Sequence, residues 1–458
     1  MPNNITKFHF IGIGGAGMSA IAQVLLQKGY TVTGSDIAKS EVVHRLERLG
    51  AKIFIGHCRE NIEGAEAIVV STAIAADNPE VLEARARGIK IFHRSDIVAM
   101  LLNAVQGIAV AGAHGKTTTT SIVALMLEKN GIDPTIIIGG DLDYLNGNAK
   151  LGHGKYLVAE ADESDGSFVK LEPSIAIVTN IENDHMDHYG TMEAILQAFK
   201  TFLSKLDPQT GLGVLCFDNH YVRDIAAEVD RKIVSYALDN EADYMAKDIV
   251  VRGTTTTYNV YHKNTNLGTI EINVPGRHNV ANSLAAVAVG MTVGLSFQQI
   301  AEGIAVFRGV KRRFQTKGRV DGIWVVDDYA HHPTEIATTL KAARGVAPKR
   351  LVCAFQPHRY TRTKFLAKEF GGAFGDADIL ILTDIYSAGE EPIAGISGEL
   401  IKEEVERQTG KKVMYIPDKA NVARYLAEIV ESGDLVMTMG AGNIYLAGEE
   451  LVEKLVER

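Results

Sequence analysis

Gly107-Ile108-Ala109-Val110-Ala111-Gly112-Ala113-His114-Gly115-Lys116-Thr117-Thr118-Thr119-Thr120 is the stretch on which the reading of this chain turns. The apolar run Gly107–Ala111 predicts a short buried strand, and the glycines predict a tight turn. Ser121–Leu127 then continues as an amphipathic helix. A strand, a glycine turn and a helix start gather free backbone N–H groups at the positive end of a helix dipole. A lysine and a hydroxyl at that point suit the phosphates of a nucleoside triphosphate and their Mg²⁺. The spacing is the short G-x-x-G-K-T, because Val110 stands where the longer phosphate loop has its first glycine. The tetrapeptide alone equally suits a chance turn; the flanking strand and helix favour a phosphate site.

Two acid-rich segments follow. Ala159-Glu160-Ala161-Asp162-Glu163-Ser164-Asp165 ends one predicted strand, and Asn180-Ile181-Glu182-Asn183-Asp184-His185-Met186-Asp187-His188 ends another. If both strands flank the one feeding the loop, their carboxylates and an imidazole converge on the phosphates, where they suit Mg²⁺. Taken singly, any one of these Asp or Glu residues suits a solvated loop better. His185 and His188 also fit surface histidines, while zinc lacks supporting Cys or H-x-x-x-H spacing. Farther on, Asn279 and Asn282 share a helical face ahead of the apolar run Ser283–Ala288. Amides there suit an adenine edge, and helix capping explains Asn279 equally well.

Toward the N-terminus, Phe8–Ile11, the turn Gly12-Ile13-Gly14-Gly15-Ala16-Gly17, a helix through Leu26 and the strand Thr31–Asp36 form a dinucleotide-type fingerprint. Its acid, about 20 residues on, suits a ribose hydroxyl. Ile53–Ile55 and Ala67–Ser71 read as further parallel strands. Ser71-Thr72 then lies at a strand's carboxyl end, fitting a ligand contact or a plain polar turn. Toward the C-terminus, Val250–Val274 alternates with period two and predicts a small antiparallel addition, with Thr254–Thr257 as exposed strand. After the basic cluster Lys311-Arg312-Arg313 a third α/β unit begins. Its strands end in Asp327-Asp328-Tyr329-Ala330-His331-His332-Pro333 and Phe355-Gln356-Pro357-His358-Arg359-Tyr360-Thr361-Arg362. Those two groups are predicted at neighbouring strand ends, facing phosphates or carboxylates. Gly440-Ala441-Gly442 offers an anion nest before the last helix.

The chain has 458 residues, 46% hydrophobic and 22% charged, which predicts roughly three soluble domains. A net charge of −9 argues against nucleic-acid binding. Cys58, Cys216 and Cys353 are isolated, fitting a reducing cytoplasm. Met1–Lys7 lacks a signal-peptide pattern, and no run of about 18 apolar residues predicts a membrane span.

Taken in order, the chain resembles the Mur ligase family of peptidoglycan synthesis along its whole length. The resemblance is carried by G-x-G-x-x-G, G-x-H-G-K-T-T-T, E-A-D-E-S-D, T-N-I-E-x-D-H-M-D, G-x-H-N-x-x-N, R-R-F, D-D-Y-x-H-H-P, F-Q-P-H-R-Y-T-R and G-A-G-N-I. Ala113 departs from the family's usual Thr or Ser, and Ala330 from its Gly. The resemblance implies an α/β protein of three domains: a Rossmann-like UDP-sugar domain (1–106), a central P-loop ATPase with the antiparallel addition (107–313), and a Rossmann-like amino-acid domain (314–458). It implies ATP-dependent ligation of L-alanine to UDP-N-acetylmuramate through an acyl phosphate, serving cell-wall biogenesis, cell shape and cell division. Mg²⁺, a cytoplasmic location, domain closure and a possible homodimer belong to the same picture, with neither nucleic acid nor membrane as partner.

On that resemblance Gly112, Ala113, His114, Gly115, Lys116, Thr117 and Thr118 hold ATP, with Asn279 and Asn282 on the nucleotide. Thr117, Glu160 and His185 hold the metal. Gly12, Gly14, Gly15, Ala16, Gly17, Asp36, Ser71 and Thr72 serve the UDP sugar. Lys116, His185, Arg313, Asp328, His331, Arg359 and Arg362 carry the chemistry, with His358 beside them. Some members carry a carbamylated lysine; Lys200 lies at a plausible distance and is left unassigned. The same family offers an alternative, ligation of an intact tripeptide. The Gly12–Asp36 segment alone would suit a nicotinamide dehydrogenase.

Overall fold

Apolar runs of four to six residues, separated by glycine turns and helices, form three sheets in the computed structural model, which describes residues 5–458. Part of the N-terminal stretch read for a signal pattern, residues 1–4, lies outside the described residues. The chain divides into two compact units: residues 1–248, 258–271 and 280–307, and residues 249–257, 272–279 and 308–458.

The first sheet contains β1 (Lys7–Ile11), β2 (Thr31–Asp36), β3 (Lys52–Ile55), β4 (Ala67–Val70) and β5 (Lys90–His93), in the order β3-β2-β1-β4-β5. All its pairings are parallel. The chain leaves β1 for β2 on one side and later returns to β4 on the other, so the Gly12–Gly17 turn sits at a topological switch point, where such sheets bind ligands. Gly34 opposes Phe10 in register; a Cβ there would lie 2.8 Å from the Phe10 carbonyl oxygen, so no larger residue fits beside the turn.

The second sheet runs through β6 (Gln106–Ala111), β7 (Thr135–Leu142), β8 (Gly147–Lys150), β9 (Tyr156–Glu160), β10 (Ile175–Val178), β11 (Leu212–Cys216), β12 (Ile233–Ala237), β13 (Tyr244–Arg252), β14 (Thr255–His262) and β15 (Thr265–Ile272). Its order is β15-β14-β13-β12-β11-β10-β6-β9-β7-β8. β6 therefore lies between β10 and β9, parallel to both, as the convergence of the two acid-rich ends requires. The helix Ala16–Gln27 packs on this sheet's edge as well as on its own. Gln23 Nε2 donates to the Ala149 carbonyl (2.6 Å), and Asn148 Nδ2 to the Ala16 carbonyl (2.7 Å). Phe8, Leu25, Leu157, Phe168 and Phe199 accordingly share one apolar core.

The third sheet comprises β16 (Gln315–Val320), β17 (Ile323–Asp328), β18 (Arg350–Phe355), β19 (Ile379–Leu382), β20 (Met414–Tyr415) and β21 (Asp434–Met439), ordered β16-β17-β21-β18-β19-β20. Only β16 runs antiparallel.

Several expectations need correction. The helix after the phosphate loop, Lys116–Lys129, is not amphipathic: Thr118 through Leu127 are all buried. Two of its hydroxyls tolerate this because Thr120 and Ser121 donate to the carbonyls of Lys116 (2.8 Å) and Thr117 (2.6 Å), whereas Thr119 Oγ1 is buried without a partner. Thr254–Thr257 is not an exposed strand; Thr256 is fully buried and donates to the Val274 carbonyl. The Asp327–Pro333 and Phe355–Arg362 groups do not end adjacent strands, since β21 lies between β17 and β18. Among the described residues no helix is long and apolar enough to cross a membrane.

Candidate functional site

The phosphate loop is held open by two left-handed glycines and by the end of β10. Gly112 has φ +136°, and a Cβ on it would fall 2.1 Å from Thr179 Oγ1. Gly115 has φ +84° and lies against Asn282, whose Oδ1 would be 2.6 Å from such a Cβ. Asn180 clasps the loop from both directions, accepting from His114 N–H (2.8 Å) and donating to the His114 carbonyl (2.9 Å). Ala113 takes part through its backbone, donating to the Asn180 carbonyl, so the missing hydroxyl leaves the loop intact. The helix Lys116–Lys129 starts with no side-chain cap and no acid in its first turn. Its N–H groups are thus presented to an anion.

Lys116 folds back over this turn. Its Nζ donates to the Gly112 carbonyl (2.6 Å) and to Glu163 Oε1 (2.8 Å). Burial opposes the ammonium charge, but Glu163, Asp162 and Glu160 outweigh it and raise the lysine's pKa. Burial also raises Glu160, although the Gly139 N–H (2.7 Å), Lys116 and the Thr117 hydroxyl oppose it. At His185 burial is outweighed by Glu163 and Asp184, so its pKa rises. His185 takes a left-handed φ of 57° that turns its ring toward Glu163, Nε2 lying 3.6 Å from Oε1. Thr117, Glu160 and His185 are oxygen and imidazole donors from the segments that end or follow the adjacent strands β6, β9 and β10, and Glu163 Oε2 is buried without a hydrogen-bond partner. This donor set fits a hard divalent cation once His185 gives up its proton, since only the neutral imidazole can ligate.

The structure brings together Gly112–Thr118, Glu160, His185 and Asn282. Asn279 behaves differently: its amide donates to the Pro275 carbonyl (2.7 Å) from inside the helix Arg277–Thr292, a local bond that is not the helix cap considered for it. Lys200 pairs with Glu228 at 2.6 Å in an ordinary ion pair between the helices Met192–Ser204 and His220–Glu228. Glu163, the lysine's partner, was not singled out in the sequence. Its signal is the position three residues past Glu160 on the same strand end.

At the glycine-rich turn, Asp36 accepts from Gly14 N–H (2.8 Å), and the Ser35 carbonyl accepts from Gly12 and Ile13 N–H. Asp36 thus fastens the turn itself. Gly17 is backed by Arg94, whose Nη1 would lie 3.2 Å from a Cβ there. Ser71 and Thr72 sit in the turn after β4, closed by Ile74 N–H on the Ser71 carbonyl, with Thr72 exposed.

In the second unit the groups after β17 and β18 converge despite the intervening strand. The His331 and His358 rings stand 5.7 Å apart, and Arg362 Nη1 is 3.2 Å from His358 Nδ1. Burial lifts Asp328 to about 6, against the Arg313 charge and the N–H groups of Ala330 and Phe314 (both 2.8 Å). Burial lowers His331 to about 4 against the pull of Glu335, and lowers His358 to about 3 with Arg362 and Arg359 adding to it. Arg313 faces Glu335 (3.6 Å) and the Tyr329 ring. Arg359 holds a left-handed φ of 70° and reaches toward Glu390, 3.8 Å away. Such a conformation in a non-glycine residue stores strain. Arg312 is structural: it binds Asp327 and the Gly440 and Gly442 carbonyls between the Tyr329 and Tyr445 rings. The Gly440–Gly442 turn is not an open anion nest. Gly440 and Asn443 N–H already donate to the Asp328 carbonyl and Gln356, while two of the turn's carbonyls face Arg312.

Three family patterns match in succession: "Mur ligase family, catalytic domain" over residues 7–106, "Mur ligase middle domain" over 110–290, and "Mur ligase, glutamate ligase domain" over 312–442. The chain is 55% identical, over 98% of its length and 97% of the relative's, to a UDP-N-acetylmuramate–L-alanine ligase of Pelotomaculum thermopropionicum. It is 53% identical, over the whole of both chains, to a ligase of the same name from Geotalea daltonii. Among solved structures, the UDP-N-acetylmuramate–alanine ligase of Thermotoga maritima superposes with a TM-score of 0.84 at 29% identity, covering 98% of this chain and 99% of that one. A murein peptide ligase of Psychrobacter arcticus gives a TM-score of 0.73 at 26% identity, covering 98% of each chain.

Proposed function

Because the chain belongs to the Mur ligase family, we propose that its loops and strand ends carry out the ligation for which its full-length relatives are named. The chain is an ATP-dependent acid–amino-acid ligase that joins L-alanine to UDP-N-acetylmuramate in peptidoglycan synthesis. The tripeptide alternative is not favoured, since the relatives at 53–55% identity bear the alanine name and the murein peptide ligase is at 26%. A nicotinamide dehydrogenase is not favoured either. What supports the assignment of roles is one observation: β9 and β10 flank β6, so their acidic ends meet the phosphate loop.

A carboxylate resists attack by an amine, so it is first phosphorylated and the amine then displaces phosphate from the acyl phosphate. Lys116 holds the β/γ-phosphates, replacing its contact with Glu163, while the backbone N–H groups of Gly112–Thr118 surround them. Asn282, beside Gly115, contacts the nucleotide, and Asn279 supports it from the same helix through its bond to the Pro275 carbonyl. Thr117, Glu160 and His185 would hold Mg²⁺, which neutralises phosphate charge when bound. Gly12, Gly14, Gly15, Ala16 and Gly17 receive the UDP sugar, with Asp36 keeping their turn in shape and Ser71 and Thr72 at its rim. Arg313, Arg359 and Arg362 serve the transferred phosphate. Asp328 and the uncharged His331 and His358 orient the incoming amino acid. The domains divide at 106/107 and 313/314, and the protein works in the cytoplasm; a homodimer would be compatible with these roles.

The test is ADP release with UDP-N-acetylmuramate and L-alanine, run beside the tripeptide and Lys116→Ala. The unsubstituted chain turns over with L-alanine, and Lys116→Ala loses at least about a thousandfold in turnover while keeping its fold. A preference for tripeptide, or normal activity of Lys116→Ala, would refute the reading.

A further inference from the structure

The acid-rich turn after β9 faces two ways. Glu160 and Glu163 point to the phosphate loop, through Thr117 and Lys116. Asp162 and Asp165 point instead to the corner after β5: Asp162 pairs with the Arg94 guanidinium, and Asp165 Oδ2 lies 3.5 Å from His93 Nε2. Arg94 is itself the residue that backs Gly17 of the glycine-rich turn. One guanidinium therefore pairs with the turn that carries the lysine's counter-ion and lies beside Gly17, in the space a side chain there would need. Asp162 also accepts from Ser164 N–H (3.0 Å), which fixes the backbone on either side of Glu163. Burial works against the Asp162 charge, yet Arg94 and Lys116 hold its carboxyl well below the usual range.

We propose that Arg94 is a positioning residue that, through Asp162, sets the Glu160–Asp165 turn on the phosphate loop and thereby links occupancy of the glycine-rich turn to nucleotide affinity. The inference rests on the proposed function for which ligand fills which turn. The ion pair joins the start of the helix Arg94–Leu102 to the Glu160–Asp165 turn within the same unit, so a ligand that shifts one shifts the other. Removing Arg94 leaves Asp162 as an uncompensated carboxylate within electrostatic reach of Lys116, so the lysine gains a second competitor to the phosphates. Removing both charges abolishes that competition. The pair is therefore expected to be strongly non-additive.

The test uses the full chain with Arg94→Ala, Arg94→Lys, Asp162→Asn and the Arg94→Ala/Asp162→Asn double variant. Affinity for ADP with Mg²⁺ is measured by calorimetry with and without UDP-N-acetylmuramate, beside steady-state KM and kcat and a thermal melt. Arg94→Ala is expected to weaken ADP binding about tenfold and to abolish the effect of the sugar nucleotide on it. Arg94→Lys and the double variant recover most of the affinity. A purely structural role would lower the melting temperature without a selective rise in the KM for ATP. Unchanged ADP affinity in Arg94→Ala, or a double variant weaker than either single one, would overturn the proposal. ADP affinity is read without turnover, so failure of the ligase assay in the unsubstituted chain would refute the function separately.

Discussion

The loop after β6 and the paired ends of β17 and β18 both bury ionisable groups, but they resolve the cost of burial in opposite ways. Around the loop counter-charge wins at Lys116, Asp162 and His185, where burial is outweighed and the charged form is favoured, with Glu160 the exception that burial raises. At β17 and β18 burial wins, bringing Asp328 near neutrality and leaving His331 and His358 uncharged. The difference follows from the chemistry proposed for each. Phosphates and a divalent cation require fixed charge, whereas an amine nucleophile has to approach without meeting a cationic imidazole.

Glu163→Gln attacks the first region most directly. It leaves Lys116 and His185 without their shared carboxylate, and urea unfolding is expected to show a loss of about 3 kcal/mol. A loss below about 1 kcal/mol would mean that counter-charge does not hold this region. Asp328→Asn tests the second region through pH. The folded carboxyl titrates near 6, above its ordinary 3.8, so the folded chain holds that proton more tightly than the unfolded one. The stability this adds is complete below about pH 4 and is lost as pH rises through about 6, a change on the order of 2–3 kcal/mol. His278, His331 and His358 in this unit shift the other way, but they are common to both proteins and cancel in the difference. Paired unfolding of the unsubstituted chain and Asp328→Asn at several pH values should therefore show their difference shrinking toward neutrality. A flat difference would erase the contrast between the regions. Lys200→Ala should have the smallest effect. Its partner Glu228 is largely exposed, so stability should change by less than about 1 kcal/mol and ligation rate by less than about twofold. A large loss of rate would bring Lys200 into the site.

Local pattern made much of this molecule legible. Short apolar runs ending in glycine or acid located β1, β2, β6, β9, β17 and β21, and runs ending in other polar residues located β10 and β18, and with them the loops that carry chemistry. The condition placed on β9 and β10, that both flank β6, is met. Other features depend on contacts between distant residues. Arg312 and Arg313 are adjacent in sequence, yet one is clamped between two tyrosine rings while the other faces Asp328 and Glu335. Composition cannot separate them. The helix Lys116–Lys129 carries threonines where an outer face would be polar, but hydroxyls bonded back to its own carbonyls can be buried. Arg94 carries no motif at all; its importance is visible only once Asp162 and Gly17 lie beside it.

The turn from Glu160 to Asp165 sends its acids out in two pairs, each three residues apart: 160 and 163 toward the phosphates, 162 and 165 toward the corner after β5. Six residues thus behave like the teeth of a key, whose spacing carries as much information as their shape. Substituting one acid removes one contact. Inserting or deleting a single residue there would move every following acid out of its place, so natural or engineered length changes should be excluded from this turn even where individual substitutions are accepted.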